Sequence, residues 1–334
     1  LAKMKQDEAF YGQAIEKYER ATRINPKNAE AYNNWGTALS GLAEMKQDEA
    51  FYGQAIEKYE KAAQINPEDA EAYNNWGAAL SDLAKMKQDE AFYGQAIEKY
   101  EKATQINPKG AEAYNNWGTA LSDLAKMKQD EAFYGQAIEK YEKATQINPE
   151  DAKAYNNWGN ALSLLAKMKQ DEAFYGQAIE KYEKATQINP EDARAYYNWG
   201  AALSDLAEIK QDGAFYGQAI EKYEKATQIN PEDAKAYYNW GTALSDLAKM
   251  KQDEAFYGQA IEKYEKAYKI NPEKTYNLSC CYALLGKKEK ALNYLEKSLK
   301  YKDVEIDWVL DDEDWKNYFS DDGFIYLINK YKGT

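Results

Sequence analysis

One phrase of eleven residues returns along most of the chain at a fixed spacing of 41 residues, and a tryptophan returns with the same spacing. The phrase AFYGQAIEKYE begins at Ala9, Ala50, Ala91, Ala132, Ala173, Ala214 and Ala255, and the tryptophans are Trp35, Trp76, Trp117, Trp158, Trp199 and Trp240. A repeat of this length is typical of arrays in which each unit packs only against its neighbours. The sequence therefore predicts an array of small stacked units in place of one globular core.

Composition argues against several classes of function. The chain of 334 residues has a net charge of −13 and contains no histidine. An acidic chain without a basic patch does not attract nucleic acid, and no apolar run is long enough to cross a bilayer. The absence of histidine removes Ser-His-Asp and Cys-His catalysis and histidine metal ligands. We therefore expect no enzyme activity, no catalytic, metal-binding or cofactor-binding residues, no cofactor, and no nucleic-acid or membrane partner.

The two cysteines, Cys280 and Cys281, are adjacent. Neighbouring residues of a helix point in different directions, which disfavours a disulfide between them. We expect small buried thiols in a reducing compartment, with a redox pair as the alternative, and hence a cytoplasmic protein. Leu1 is not Met and falls inside a repeat, so we also expect the chain to be part of a longer protein.

Each repeat is predicted to form two helices. After Asn28, apolar residues recur three or four positions apart, as on one face of a helix. A second such stripe follows Asp48 and stops at Pro67, which cannot continue a helix. Asn28 and Asp48 are good N-cap residues. The pattern predicts helix A over Ala29–Met45 and helix B over Glu49–Ile65, joined as a hairpin.

At these residues the chain resembles the tetratricopeptide repeat family, whose motif pairs two helices in 34 residues. Gly36, Ala55, Tyr59, Ala62 and Pro67 stand where the family's glycine, alanine, aromatic, alanine and proline fall. The repeat here has seven extra residues between Gly36 and Ala55, which lengthen each helix by about one turn. The resemblance implies an all-α, right-handed solenoid of antiparallel hairpins. It also implies a concave groove lined by helix A, in which partners bind as extended peptides.

The array is predicted to have four parts. Residues 1–28 form a half repeat, and residues 29–272 form six repeats of 41 residues. Residues 273–300 revert to the ordinary length of the family, and residues 301–334 break the pattern. Because terminal repeats of a solenoid are atypical and polar outside, we expect the last part to be a cap of two or three short helices. A separate binding head is the alternative.

Three further features receive structural interpretations. Gly53 and its copies lie inside helix B, where glycine is unfavourable, so we expect a close approach between helices there. The repeat tryptophans lie on the apolar stripe of helix A, so we expect them in the core between helices and not on an exposed platform. The acidic run Asp311–Asp314 is interpreted as solvated surface.

The copies differ at five positions of helix A, counted from its first residue: positions 2, 5, 9, 13 and 16. At 100° per residue these positions fall within an arc of about 80°, facing away from Trp35. In the family this stripe lines the groove, whereas the exposed residues of helix B hardly change between copies. We interpret the stripe as tuned for binding, with neutral drift as the alternative.

Asparagine at position 6 is constant and forms a row along the predicted groove. Its amide can pair with both polar groups of a peptide backbone. Hydrogen bonding within the array is the alternative explanation. The row contains Asn75, Asn116, Asn157, Asn198 and Asn239.

Specificity would come from the varying stripe. Leu164, Asn160, Tyr197 and Tyr238 are predicted to form an apolar anchor site, because aromatic side chains usually dominate binding energy. Asn156, Asp123 and Asp205 complete the candidate residues. Some relatives bind a carboxylate with lysines at positions 5 and 13, but no lysine stands there in this chain. A partner that is not strongly acidic, and that carries some positive charge, is therefore expected.

These features predict a non-catalytic scaffold or adaptor that binds an extended peptide, or a segment of a partner protein, in the groove. The main alternative is a structural module that stacks or dimerises through open repeat ends. Another is the regulatory arm of a larger protein.

Overall fold

A computed structural model describes residues 2–332, with side chains from residue 8 onward. Within that range the chain consists of helices joined by short turns. It divides into two compact units, Leu1–Met168 and Lys169–Thr334, each of which is described by itself. Consecutive helices of each unit pair as hairpins, which confirms the predicted all-α solenoid class.

The helices of the first unit are α1 (Ala2–Ile24), α2 (Ala29–Lys46), α3 (Glu49–Ile65), α4 (Ala70–Lys87), α5 (Glu90–Ile106), α6 (Ala111–Lys128), α7 (Glu131–Ile147) and α8 (Ala152–Lys169), which ends at the boundary. Those of the second are α9 (Glu172–Ile188), α10 (Ala193–Lys210), α11 (Gly213–Ile229), α12 (Ala234–Lys251), α13 (Ala255–Ile270), α14 (Tyr276–Leu284), α15 (Lys288–Lys300), α16 (Ile306–Asp311), a 3-10 helix (Glu313–Tyr318) and α17 (Asp322–Tyr331). The even-numbered helices from α2 to α12 are helices A, and the odd-numbered helices from α1 to α13 are helices B.

Local hydrogen bonds explain where the helices begin. Asn28 Oδ1 accepts from the Ala31 N–H at 3.1 Å, and Asp48 Oδ1 accepts from the Ala50 N–H at 2.9 Å. Each such cap contributes about 1 kcal/mol by satisfying a donor that has no partner within the helix. The observed bounds of α2 and α3 agree with the predicted helices to within one residue.

The end of helix A is marked by a glutamine that the sequence did not identify as a stop. Gln47 adopts a left-handed conformation with φ of 52°, where glycine or asparagine is usual. Its Nε2 donates to the Glu44 carbonyl at 2.7 Å, which satisfies one of the last carbonyl groups of the helix. The same conformation recurs at Gln88, Gln129, Gln170, Gln211 and Gln252.

The tightest contact inside a hairpin joins glycine on helix A to tyrosine on helix B. A Cβ on Gly36 would lie 2.7 Å from Cε1 of the buried Tyr59, so only glycine fits without displacing the ring. Later hairpins repeat this contact between Gly77 and Tyr100, Gly118 and Tyr141, Gly200 and Tyr223, and Gly241 and Tyr264.

The expectation of a close helix approach at Gly53 is wrong. A Cβ on Gly53 would meet no atom within 4 Å, and the same holds for all seven copies of this glycine. Gly53 lies beside the buried face of Tyr52 and Ala55 without belonging to it. The close approach is made from helix A at Gly36, and no contact explains glycine at position 53.

The repeat tryptophans pack where they were expected, although most keep part of the ring at the surface. Trp35 and Trp76 pack against a core that includes Leu39 and Tyr59. The outer face of Trp35 is covered by Lys58, whose Nζ lies 4.3 Å from the ring centroid. Helix B therefore covers this indole with a cation.

The region after α13 is held together by Asp303. Its Oδ2 accepts from the backbone N–H groups of Thr275 and Tyr276 at 2.8 and 2.9 Å, at the start of α14. It also accepts from Ser298 Oγ at 3.2 Å, near the end of α15. Three short helices follow α15 among the described residues. Across that described part of the chain, no helix has both the length and the apolar character needed to cross a bilayer.

Candidate functional site

The helices A of each unit form a surface, here called the helix A surface, that bears three cavities. Each of the five variable positions contributes to at least one of them. Position 2 contributes Lys235, position 5 Tyr197 and Tyr238, position 9 Thr37, Ala78 and Thr242, position 13 Gly41, Asp82 and Asp246, and position 16 Glu44 and Lys249.

The first-unit cavity has a volume of about 460 Å³. Tyr11 and Tyr59 supply aromatic walls, and Glu44 and Asp82 supply negative charge. Gly41 leaves room for the Tyr11 ring, since a Cβ on Gly41 would lie 2.5 Å from Tyr11 Cε1. The first-unit cavity therefore combines aromatic surface with negative charge.

The tyrosine cavity, in the second unit, has a volume of about 290 Å³ and is lined by Tyr197, Tyr238 and Asn239. Asn239 Nδ2 donates to the Tyr197 OH at 2.9 Å. Lys274 Nζ lies 5.5 Å from the centroid of the Tyr238 ring, and Lys235 also lines the cavity. Burial raises the pKa of the Tyr197 phenol above its ordinary value, which favours the neutral phenol further.

The acidic cavity, also in the second unit, has a volume of about 580 Å³. It lies between α12, α14 and the segment Trp308–Asp314. Lys249 Nζ and Asp314 Oδ2 form an ion pair at 2.9 Å. Burial raises the pKa of Asp246 to about 6; Lys249 opposes this rise and Asp314 adds to it.

Comparison with protein families identifies the repeat. Models described as "TPR repeat" match residues 11–42, 134–165, 175–206 and 216–247, and one described as "Tetratricopeptide repeat" matches residues 276–304. The chain is a tetratricopeptide repeat protein. A further model, "Plant specific mitochondrial import receptor subunit TOM20", matches residues 48–147. No curated protein sequence matches this tetratricopeptide repeat protein.

Solved structures with similar folds include tetratricopeptide repeat proteins. The C-terminal part of a TPR repeat-containing protein from Cytophaga hutchinsonii is 17% identical, covering 82% of this chain and 95% of that one, with a TM-score of 0.55. PilF of Pseudomonas aeruginosa is 21% identical, covering 72% of this chain and 91% of that one, with a TM-score of 0.49. YrrB, titled "a TPR protein with an unusual peptide-binding site", is 23% identical over 66% and 96%, with a TM-score of 0.45. At these identities the Cytophaga structure supports the fold alone.

In this tetratricopeptide repeat protein the asparagine row connects neighbouring repeats. At four copies position 6 donates to position 5 of the preceding helix A, so hydrogen bonding within the array accounts for at least one N–H of these four amides. The bonds run from Asn75 to Asn33 at 3.2 Å, from Asn116 to Asn74 at 3.1 Å and from Asn157 to Asn115 at 3.1 Å. In the second unit Asn239 bonds to Tyr197, as described above, and Asn198 lies half-buried on α10.

Position 5 was predicted to face the groove, and its asparagines do not. Asn33, Asn74 and Asn115 are buried, and Asn156 is 0% exposed, so it cannot contact a ligand on the surface. The tyrosines at position 5 differ, because the Tyr197 and Tyr238 side chains extend far enough to line a cavity. The angle around a helix predicts direction but not how far a side chain projects beyond its neighbours.

The predicted anchor site divides between the two units. Tyr197 and Tyr238 lie together in the tyrosine cavity of the second unit. Asn160 and Leu164 lie on α8 in the first unit, where Leu164 is among the exposed large apolar residues.

The two candidate aspartates both lie half-buried at position 13. Asp205 Oδ2 accepts from the Tyr175 OH at 3.2 Å. Burial raises the pKa of Asp123, while Lys85 and Lys126 oppose that rise. Neighbours within the array therefore hydrogen-bond to Asp205 and influence the pKa of Asp123.

The interpretation of Asp311–Asp314 as a solvated run is wrong for two of its members. Asp312 Oδ2 accepts from the Tyr276 OH at 2.7 Å, and Asp314 pairs with Lys249. Cys280 Sγ also donates to Asp312, at 3.7 Å, and burial raises the pKa of this thiol well above its ordinary value. This packing could not be predicted from the sequence, because its partners are more than thirty residues apart.

Cys280, Asp312 and Asp314 also bring one potential metal-ligand atom each within 4.8 Å of one another. The sequence predicted no metal ligands, so this cluster was not among the predicted sites. Its carboxylates already accept hydrogen bonds from Tyr276 and Lys249. These hydrogen bonds form a network that attaches the C-terminal segment to α12 and α14. Cys281 is likewise a buried free thiol.

Proposed function

We propose that this tetratricopeptide repeat protein is a scaffold that binds extended peptide segments of a protein partner on its helix A surface. One observation carries the proposal: all five positions at which the copies differ line cavities on that surface. The exposed helix B residues Glu57, Glu60 and Lys61, which hardly vary, line none of these cavities. Neutral drift would affect exposed positions of both helices equally.

The tyrosine cavity is the proposed anchor for an apolar side chain. Two phenol rings offer apolar area that is already held in place, and such rings lose little conformational freedom on binding. The amide of Asn239 is held by its bond to Tyr197. Asn239 also hydrogen-bonds to Tyr223. No residue within 8–332 donates to its carbonyl oxygen, which is therefore available to a peptide N–H.

The charges of the surface favour a partner that is not strongly acidic. Asp82 and Glu44 lie in the first-unit cavity, and Asp246 lies in the acidic cavity. Lys235 and Lys274 at the tyrosine cavity provide the opposite charge locally. We propose a peptide of mixed charge, bound without catalysis in a reducing compartment such as the cytoplasm.

The proposal is tested by selecting peptides from a displayed random library on the whole protein and measuring their affinity by calorimetry. Tyr197→Ala should weaken binding at least about tenfold, as expected when a central aromatic anchor is removed. Tyr196→Ala is the matched control, because Tyr196 is the adjacent residue of α10 and stacks on Trp199 outside the cavity. Equal affinity in the two variants, or no selectable peptide, would rule the proposal out.

Self-association remains a second candidate function because α1 exposes apolar surface. Phe10 is 58% exposed, whereas its counterpart Phe51 packs against the core. If α1 mediates dimerisation, light scattering should show a mass that rises with concentration, and Phe10→Ser should remove the rise. A constant monomer mass would exclude this function.

A further inference from the structure

The acidic cavity carries more negative charge than the molecule neutralises. Its lining includes the carboxylates of Asp246, Asp311, Asp312, Glu313 and Asp314, with Lys249 as the one cationic residue. Lys249 pairs with Asp314. Within the part of the chain that the structure describes, Asp246 and Asp311 take part in no ion pair. Asp246 is half-buried, and its charge is opposed by lost hydration and by the like charges of Glu208 and Asp314, which Lys249 offsets only in part.

The acidic cavity already contains one ammonium group of the protein, and that contact shows that its carboxylates can pair with a cation. Lys249 extends from α12 to reach Asp314 on the C-terminal segment, at 2.9 Å. Asp312 is held in place by Tyr276 on α14. The carboxylates of Asp312 and Asp314 are therefore held by contacts within the fold. A second cation would find the half-buried Asp246 and the exposed Asp311 in the same lining.

An exposed tryptophan stands in the same lining. Trp308 is 67% exposed, the most exposed tryptophan of the protein. The protein covers its repeat indoles with lysine, as where Lys263 Nζ lies 3.7 Å from the Trp240 centroid. Trp308 has no such lysine among the described residues. Its ring, next to carboxylates, is suited to a cation from outside the chain.

The acidic cavity and the tyrosine cavity lie on the same helix. Tyr238 and Asp246 are both on α12, eight residues apart. At 1.5 Å per residue they are separated by about 12 Å along the helix, which about four residues of extended peptide would span. The two cavities differ in charge, since Lys235 and Lys274 line the first and carboxylates line the second.

We propose that the acidic cavity binds an arginine or lysine side chain of the ligand, about four residues from the apolar side chain that enters the tyrosine cavity. The guanidinium or ammonium group contacts Asp246 and Asp311 and lies over Trp308. This assignment rests on the proposed peptide-binding function and specifies its ligand. It also gives the C-terminal segment a role in recognition besides covering the last hairpin.

The experiment follows the indole N–H signals of the whole protein labelled with ¹⁵N-tryptophan. The Trp308→Phe variant identifies the Trp308 signal. N-acetyl-arginine amide is titrated, and the citrulline analogue, of similar shape but uncharged, is the control probe. Arginine should shift the Trp308 signal in a saturable way, and citrulline should not.

Asp246→Asn should weaken this binding about fivefold, the size expected for one partly exposed ion pair. Glu57→Gln is the matched control, because it also removes one negative charge, at an exposed helix B residue that lines none of the three cavities. It should leave the titration unchanged. Equal weakening by both variants, or none by either, would mean general attraction to an acidic protein and would overturn the proposal.

Two further arms separate the remaining outcomes. If zinc chloride shifts the Trp308 signal and arginine does not, the Cys280–Asp312–Asp314 cluster is a metal site and the proposal is wrong. Selected library peptides that depend on Tyr197 but contain no basic residue at the predicted distance would overturn this inference and leave the proposed function intact. If no peptide can be selected, the proposed function fails first.

Discussion

The two units share one type of hairpin but join neighbouring helices A differently. In the first unit, Asn116 on α6 donates to Asn74 on α4 at 3.1 Å. In the second, Asn239 on α12 donates to the Tyr197 OH on α10 at 2.9 Å. The donor is the same residue at the same position, and only the acceptor changes from an amide to a phenol.

This difference alters the surface but keeps a hydrogen bond from position 6 to position 5 at the junction. Asn74 is buried and adds nothing to the helix A surface. Tyr197 and Tyr238 pack against helix B rings, at 6.0 Å from Tyr223 and 5.3 Å from Tyr264, and also line a cavity. The hydrogen bond requires only an acceptor in the right place, so the rest of the side chain is free to vary. A repeat array can thus change its binding chemistry one copy at a time.

The largest effect on stability is expected at the glycine–tyrosine contacts of the hairpins, which should be the same in both units. Gly118→Ala and Gly200→Ala each place a Cβ 2.8 Å from a buried tyrosine ring. Each should lower the free energy of unfolding by about 1–3 kcal/mol, because the ring must move within a packed core. Urea denaturation measures both. Clearly unequal losses would show that the hairpins of the two units are not equivalent.

The next largest effect on stability should differ between the two units. Asn115→Ala removes a buried acceptor and leaves the Asn157 amide without it, which should cost about 1–3 kcal/mol. Tyr197→Phe removes the acceptor of Asn239, but Tyr197 is half-buried and lines an open cavity, so water can replace it at a cost below about 1 kcal/mol. Denaturation at matched conditions tests the order. A larger loss for Tyr197→Phe would contradict the contrast between buried and open junctions.

The third prediction concerns pH. The folded protein raises the pKa of Asp246 to about 6, above the ordinary value near about 3.9, so it binds this proton more tightly than the unfolded chain. The contribution of Asp246 to stability should therefore be lost as the pH rises from about 4 to about 7, by about 1 kcal/mol after allowance for solvent screening.

Asp246→Asn should remove this part of the slope, and unfolding curves at a series of pH values would show the change. Asp82, whose pKa is also raised to about 6, contributes a slope of the same sign that remains in this variant. Asp123→Asn in the first unit should have a smaller effect, because Lys85 and Lys126 both oppose the rise at Asp123. At Asp246 a single lysine acts against Glu208 and Asp314. An equal change of slope in both variants would mean that these neighbours have no influence.

The smallest effect is a gain. Gly135→Ala and Gly217→Ala place a Cβ in open space inside a helix B. Alanine is the better helix former, so each variant should gain about 0.5–1 kcal/mol, equally in both units. A rise in the thermal midpoint measures the gain. A loss at either site would reveal a contact of this glycine that the described residues do not account for.

The hairpins could be predicted from sequence because their signals are local. Asn28, Asp48 and Pro67 mark the ends of helices within a few residues of where they act. The stop at Gln47 was not predicted, because its left-handed backbone is imposed by the hairpin turn and not by residue type. The misinterpretation of Gly53 has a similar origin, since residue type alone does not show whether a neighbouring helix lies opposite.

The candidate site was predicted only in part, because some of its contacts join residues that are far apart in the sequence. The variable stripe and the pairing of Tyr197 with Tyr238 followed from the repeat period, which aligns equivalent residues of neighbouring copies. The acidic cavity did not, because it depends on Lys249 meeting Asp314, two residues 65 positions apart in segments that share no pattern. An amide row such as that of Asn116 was ambiguous, since an amide bonds equally well to protein or ligand.

The junctions of the first unit have a consequence for how such a chain changes over generations. Its three asparagine bonds measure 3.2, 3.1 and 3.1 Å, so a junction carries no information about its place in the array. Duplication or deletion of one 41-residue block in the gene would create the same junction again. The length of the array can therefore change in whole repeats by a single genetic event, with the C-terminal segment carried along unchanged.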